Sequence, residues 1–122
     1  MKRFNVFIIL CLLVAVSFPA VGSNKERDYQ NKWCEAINGQ TEVILSDKTR
    51  VDCLTHEYAI EFDFAGKWEA LEQALHYARL AGRLPGIVFI CKKKGDLKKI
   101  ERTKTNIEFY MLPIRVWTIG CE

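Results

Sequence analysis

Between residues 50 and 64 the apolar and polar positions alternate. Val51, Cys53, Ile60, Phe62 and Phe64 are β-branched, aromatic or commonly buried types, with Asp52, Glu61 and Asp63 set between them. A period of two predicts two short strands, with Glu61 and Asp63 on one face and Ile60, Phe62 and Phe64 on the other. If His56-Glu57 forms a two-residue loop, Asp52 lies opposite Glu61 and Arg50 opposite Asp63, so three carboxylates and an arginine share one face. His-Glu is not a favoured pair for such a loop, and a longer turn with a bulge is the alternative.

The period then becomes helical. Trp68, Leu71, Ala74, Leu75 and Ala78 form an apolar stripe that predicts a helix over 66–80, with Gln73 and Tyr77 off the stripe and one turn apart. Gly82 stops it, and the near-continuous apolar run 87–91 predicts a strand buried on both faces. Lys92-Lys93-Lys94-Gly95 breaks that strand. Asp96 can then cap a helix over 97–110, with Leu97, Ile100, Ile107 and Met111 as its buried positions. Pro113 introduces a last strand over 114–119. Upstream, 23–30 reads as a loose polar start, 29–37 as a short helix with Trp33 and Ile37 on one side, and 41–45 as a strand. The order α-β-β-β-α-β-α-β predicts an α/β (α+β) protein: a mixed central sheet flanked by helices.

Residues 1–22 have the form of a secretory signal peptide: Lys2 and Arg3, an apolar core over 6–16, and Ala20-Val21-Gly22 at the cleavage end. An uncleaved anchor is the alternative. Leu10 before Cys11 argues against a lipoprotein site. Cleavage would leave residues 23–122 as a single domain, secreted or periplasmic, with no lasting membrane association. Losing Lys2 and Arg3 takes the formal net charge from +3 to +1, so overall charge gives no argument for nucleic acid. Cys34, Cys53, Cys91 and Cys121 remain, which in a short exported chain favours two disulfides, in any of three pairings. No C-x-x-C spacing points to zinc. The one polyanion signal is the basic run Lys92, Lys93, Lys94, Lys98 and Lys99, extended by Arg102 and Lys104. A solvated helix face is its plain alternative.

Asp52, then Glu61-Phe62-Asp63, then a helix with Gln73 and Tyr77 resembles the core of the PD-(D/E)xK, or restriction-endonuclease-like, superfamily. The similarity is greatest to its Holliday-junction-resolvase-like branch. The string RVDCLTHEYAIEFDFAGKWEALEQALHYA is similar to a group of small bacterial and phage proteins of that type. The resemblance implies a restriction-endonuclease-like core in which Asp52 and Glu61 hold Mg²⁺ or Mn²⁺, and the ion polarises a phosphodiester and activates water. It also implies an additional acid in the first helix, at Glu35, with Glu42 as a rival, and it places Gln73 near the metal or the phosphate backbone. The resemblance, through Cys53 in its first strand, favours Cys34–Cys53 and Cys91–Cys121.

One position departs from the pattern. The superfamily carries lysine two residues after the glutamate, where this chain has Asp63. Either Lys67 reaches back with its long stem, or Asp63 becomes a further metal ligand. The alternatives are a solvated Lys67 and an Asp63 paired across the strands with Arg50. His56 and His76 lack any partner placed to make a relay. The reading is thus an exported Mg²⁺-dependent nuclease acting on DNA or RNA, with Asp52, Glu61, Asp63, Lys67 and Gln73 catalytic. Asp52, Glu61, Asp63 and Glu35 would hold metal, and Lys92, Lys93, Lys94, Lys98, Lys99 and Tyr77 nucleic acid. The alternative is a catalytically silent nuclease fold that binds nucleic acid or a protein. A homodimer stays open.

Overall fold

The computed structural model describes residues 25–121, so the predicted signal peptide over 1–22 lies outside the described residues. Within them the order is α1 (Lys25–Ala36), β1 (Gln40–Ile44), β2 (Arg50–Leu54), β3 (Tyr58–Phe64), α2 (Glu69–Ala81), β4 (Leu84–Ile90), α3 (Asp96–Phe109) and β5 (Arg115–Ile119). The strands form one five-stranded mixed sheet in the order β1-β2-β3-β4-β5. The first three run antiparallel, and β3, β4 and β5 are parallel. α2 and α3 supply the crossovers that parallel neighbours require.

The β2–β3 turn holds the register of a two-residue loop, pairing Cys53 with Ile60 and Leu54 with Ala59. Thr55 makes the unfavoured His56-Glu57 loop tolerable. Its N–H donates to the Tyr58 carbonyl at 2.8 Å, and its hydroxyl accepts the Tyr58 N–H at 2.8 Å.

Helices cover both faces of the sheet. On one side, Ala70, Leu71 and Ala74 of α2 and Ile100 and Ile107 of α3 pack with Ile87 and Phe89. On the other, Cys34 and Trp33 of α1 pack with Cys53, Ile60, Phe62, Val88 and Ile90. β4 is therefore buried on both sides, which is why its sequence reads as an unbroken apolar run.

Three expectations are corrected. The segment expected to be a loose start is helical from Lys25, with Glu26 and Asp28 favouring the positive end of the helix dipole. Ile37 falls beyond the end of that helix and is exposed. Leu97 and Met111 are exposed as well, Met111 at 87%, because α3 turns the row Ile100, Thr103 and Ile107 inward and ends at Phe109.

The four cysteines pair as Cys34–Cys53 and Cys91–Cys121. The first ties α1 to β2, and the second ties the residue after β4 to the second residue after β5. Closing loops of 19 and 30 residues restricts the unfolded chain, a gain of about 3 kcal/mol for the shorter loop.

The tightest packing in the sheet lies at Gly86, where a Cβ would come 2.7 Å from Trp117 Cζ3 and 3.1 Å from Ile60 Cγ1. Trp117 also meets Trp33 edge-on at 5.3 Å and Tyr58 at 5.3 Å, so it cannot move aside without disturbing α1. Gly86→Ala is expected to cost about 1–3 kcal/mol, measured as a drop in urea midpoint with an unchanged slope.

Candidate functional site

The regular ladder between β2 and β3 ends at Asp52. Beyond the Cys53–Ile60 pair, the Phe62 N–H donates to the Asp52 carboxylate at 2.8 Å. The Asp52 carbonyl accepts instead from the Gln30 side chain of α1 at 3.0 Å. The strand also turns over here. Val51 packs with Ala59 and Ala78, on the α2 side, whereas Cys53 bonds Cys34 on the α1 side. Regular alternation would place 51 and 53 on one face. On the neighbouring strand Glu42 adopts φ 57°, a left-handed conformation uncommon for a residue with a long side chain. Glu42 is held there by Arg50 at 2.6 Å and by the Gln30 amide at 3.1 Å.

This reversal aims Asp52 at Glu61. Glu61 is buried, and its Oε2 has no hydrogen-bond donor. Burial, reinforced by the charge of Asp52 and a hydrogen bond between the two carboxyls, pushes the Glu61 pKa up from 4.5 to about 9. Burial also raises that of Asp52. Alone at neutral pH, the pair shares a proton, with Glu61 as the donor.

Two more acids and two lysines border the pair. Asp63 accepts from the Phe64 N–H at 2.7 Å and pairs with Lys67 Nζ at 3.3 Å. Glu26, on the first turn of α1, has its pKa raised by burial and by the charges of Asp63 and Asp52, with Lys67 and Lys92 acting in the opposite sense. Tyr77 is half-buried on α2, its pKa raised by burial and by the charges of Glu61 and Asp52. Gln73 lies half-buried one turn away on the same helix.

The fold thus brings together Asp52, Glu61, Asp63, Lys67 and Tyr77. It does not bring Glu35, which is exposed, nine residues and about 13 Å along α1 from Glu26. Glu26 occupies the helix position facing the cluster instead. The signal for it was the row Glu26, Gln30 and Cys34 at i, i+4 and i+8, since a disulfide-bonded cysteine marks the inward face of its helix. Glu42 is engaged by Arg50 and Gln30, and Arg50 therefore does not pair with Asp63. His76 binds Asp47 at 2.7 Å, pinning the β1–β2 turn to α2, and His56 is exposed in its loop.

The basic run flanks the same end of the sheet. Lys92 Nζ lies 3.5 Å from the centre of the Phe64 ring, and the stem of Lys99 packs over Gly66, next to Lys67. Lys92, Lys93 and Lys94 line a cleft of about 340 Å³ beside the Cys91–Cys121 bond. Asp96 closes the loop under them by accepting the N–H groups of Lys92 and Lys93 at 2.9 and 3.0 Å. Lys98 is exposed on α3.

Among the described residues no three Asp, Glu, His or Cys side chains converge on one point that could hold an ion. A hard cation at this site would therefore rest on Asp52 and Glu61, completed by water and a phosphate oxygen. That ligand set suits Mg²⁺, which is usually bound through one or two carboxylates plus substrate phosphate. The unpartnered Glu61 oxygen beside a second carboxyl fits such an ion. No family model, curated protein or solved structure matches the chain.

Glu61's folded-state pKa lies above its ordinary value, so the native state holds the proton more tightly than the unfolded chain does. The stability this contributes is complete below about pH 4.5 and is lost as pH rises through about 9. Glu61→Gln keeps a neutral side chain at every pH. Relative to the cation-free wild type it is expected to gain about 5 kcal/mol of stability between pH 5 and pH 9, the gap closing towards pH 5. Urea midpoints across that range measure it, and two parallel curves would contradict the assigned proton.

Proposed function

We propose that the chain is a divalent-cation-dependent phosphodiesterase of the restriction-endonuclease-like type, acting on nucleic acid in an oxidising compartment. The observation that carries this reading is the Asp52–Glu61 pair, half-buried at Asp52 and buried at Glu61, with one glutamate oxygen left without a donor. Two carboxyls crowded in a buried site are costly, and an Mg²⁺ or Mn²⁺ ion compensates both while releasing their shared proton. When bound, the ion supplies polarisation of a phosphodiester and a lowered pKa for coordinated water.

The chain's own residues have the remaining roles. Lys67, two-fifths shielded and tied at 3.3 Å to Asp63, which fills the superfamily's lysine position, reaches back with its long stem to orient a water or offset the charge developing on phosphorus. Glu26 adds a carboxylate on the α1 side that can accept a proton from that water. Lys92, Lys93 and Lys94 hold the flanking phosphates. Trp68, 55% exposed beside Lys67, offers a flat face on which an unpaired base can stack. Two disulfides fit an oxidising compartment, and among the described residues no helix is long and apolar enough to cross a membrane. Export itself, through residues 1–22, is part of the proposal.

A second reading has a specific observation behind it. Asp63 replaces the superfamily's lysine and holds Lys67 in an ion pair, an arrangement that also suits a silent fold in which Glu61 keeps its proton.

The decisive measurement is Mn²⁺ titration together with cleavage of single-stranded DNA, duplex DNA and RNA by the disulfide-bonded protein. Asp52→Ala and Glu61→Ala are each expected to abolish ion binding and cleavage. Lys67→Ala should leave ion binding intact while lowering kcat about 100-fold or more. Trp68→Ala should raise KM for single-stranded substrate and leave duplex unchanged. Protein that binds no Mn²⁺ and cleaves none of these substrates would leave the silent fold standing.

A further inference from the structure

We infer that the Cys34–Cys53 disulfide gates the cation site: oxidation locks α1 over Asp52 and so completes the site, and reduction dismantles it. The inference rests on Asp52 and Glu61 holding the cation and adds the control of that site. It follows from where the bond lies. Cys53 is the residue after Asp52, and Cys34 is one turn of α1 beyond Gln30 and two beyond Glu26. Gln30 donates both to the Asp52 carbonyl at 3.0 Å and to Glu42 at 3.1 Å, so the same helix fixes the backbone of Asp52 and the strained residue opposite it.

Beyond that bond, α1 is held by Gln30 and by Trp33. It is a helix of 12 residues, a length at which an isolated helix is marginal in water. Of its described side chains only Gln30 and Cys34 are buried, and Gln30 is polar. Trp33 adds edge contacts at 5.5 Å to Phe62 and 5.3 Å to Trp117. Gly39 leaves just enough space for the bond, since a Cβ there would lie 2.6 Å from each sulfur. Without the covalent tie, the loop entropy of the 19-residue span returns to the chain and opposes docking of α1.

The chemistry is thiol–disulfide exchange. The two thiols give up two electrons and two protons to a disulfide oxidant, which leaves as a dithiol, while the sulfur–sulfur bond forms. A thiol or dithiol reductant reverses the step. In a reducing compartment the carboxyls would thus remain an incomplete pair, and nucleic acid in the cell that makes the protein would be spared until the chain reaches an oxidising one. The Cys91–Cys121 bond lies on the far side of β4 from α1 and carries no such control.

The test compares the wild type, Cys34→Ser/Cys53→Ser and Cys91→Ser/Cys121→Ser, each full chain otherwise oxidised, by Mn²⁺ titration and by amide hydrogen exchange. The first double variant is expected to bind Mn²⁺ at least about 10-fold more weakly and to lose protection over 25–36, while β4 amides stay protected. The second should bind as the wild type does. Gln30→Ala, made with both disulfides intact, should weaken Mn²⁺ in the same direction, which keeps the inference testable if Cys34→Ser/Cys53→Ser fails to fold. A wild type that binds Mn²⁺ alongside a Cys34→Ser/Cys53→Ser protein that binds it equally, or an unaffected Gln30→Ala, overturns the gate alone. A wild type that binds no Mn²⁺ even when oxidised overturns the cation site, and the gate with it.

Discussion

Two carboxyl groups that would repel each other in water are held together inside this protein, and the surrounding structure is arranged to allow it. Asp52 and Glu61 meet because β2 breaks its ladder with β3 at that residue and turns over. A regular strand would satisfy the Phe62 N–H with a backbone carbonyl. Here the Asp52 carboxylate takes it, and the freed Asp52 carbonyl is taken by Gln30. Both backbone groups freed from the ladder thus have side-chain partners, while the buried side-chain oxygen Oε2 of Glu61 has no hydrogen-bond donor. Buried polar groups are nearly always satisfied, and the Glu61 oxygen departs from that rule.

The same break links local strain to long-range architecture. Glu42 at φ 57° is costly, and it is held by Arg50 and Gln30, one from the next strand and one from α1. α1 is in turn secured by the Cys34–Cys53 bond and by Trp33 wedged between Phe62 and Trp117. Site and core are therefore parts of one packing problem. The tryptophan that fills the space over Gly86 also holds the helix that positions Glu26 and Gln30.

Charge is distributed unevenly, although the chain as a whole is nearly balanced. Four acids crowd the end of β3, with Lys67 and Lys92 beside them, and Lys93 and Lys94 line the neighbouring cleft at the Cys91–Cys121 bond. Net charge averages over this arrangement and conceals it.

Periodicity was enough to read the mixed sheet with flanking helices, since alternation at 50–64, the unbroken run at 87–90 and the stripe from Leu71 to Ala78 each reflect one local geometry. The hairpin register around a two-residue loop also followed from the spacing of apolar residues, whereas the break in the ladder at Asp52 did not. Other features were not legible, because they depend on which surfaces dock. The start of α1 carries no apolar period, so Glu26 was hidden and Glu35 stood in its place. Arg50 turned to Glu42 because the strand reversal at Asp52 moved it out of line with Asp63, and Asp63 was left to Lys67. Four cysteines allow three pairings, and only the docking of α1 on β2 and of the last residues on β4 selected one. The order of residues determines which face each side chain takes along its own element; the distance between faces of different elements is decided only when they pack.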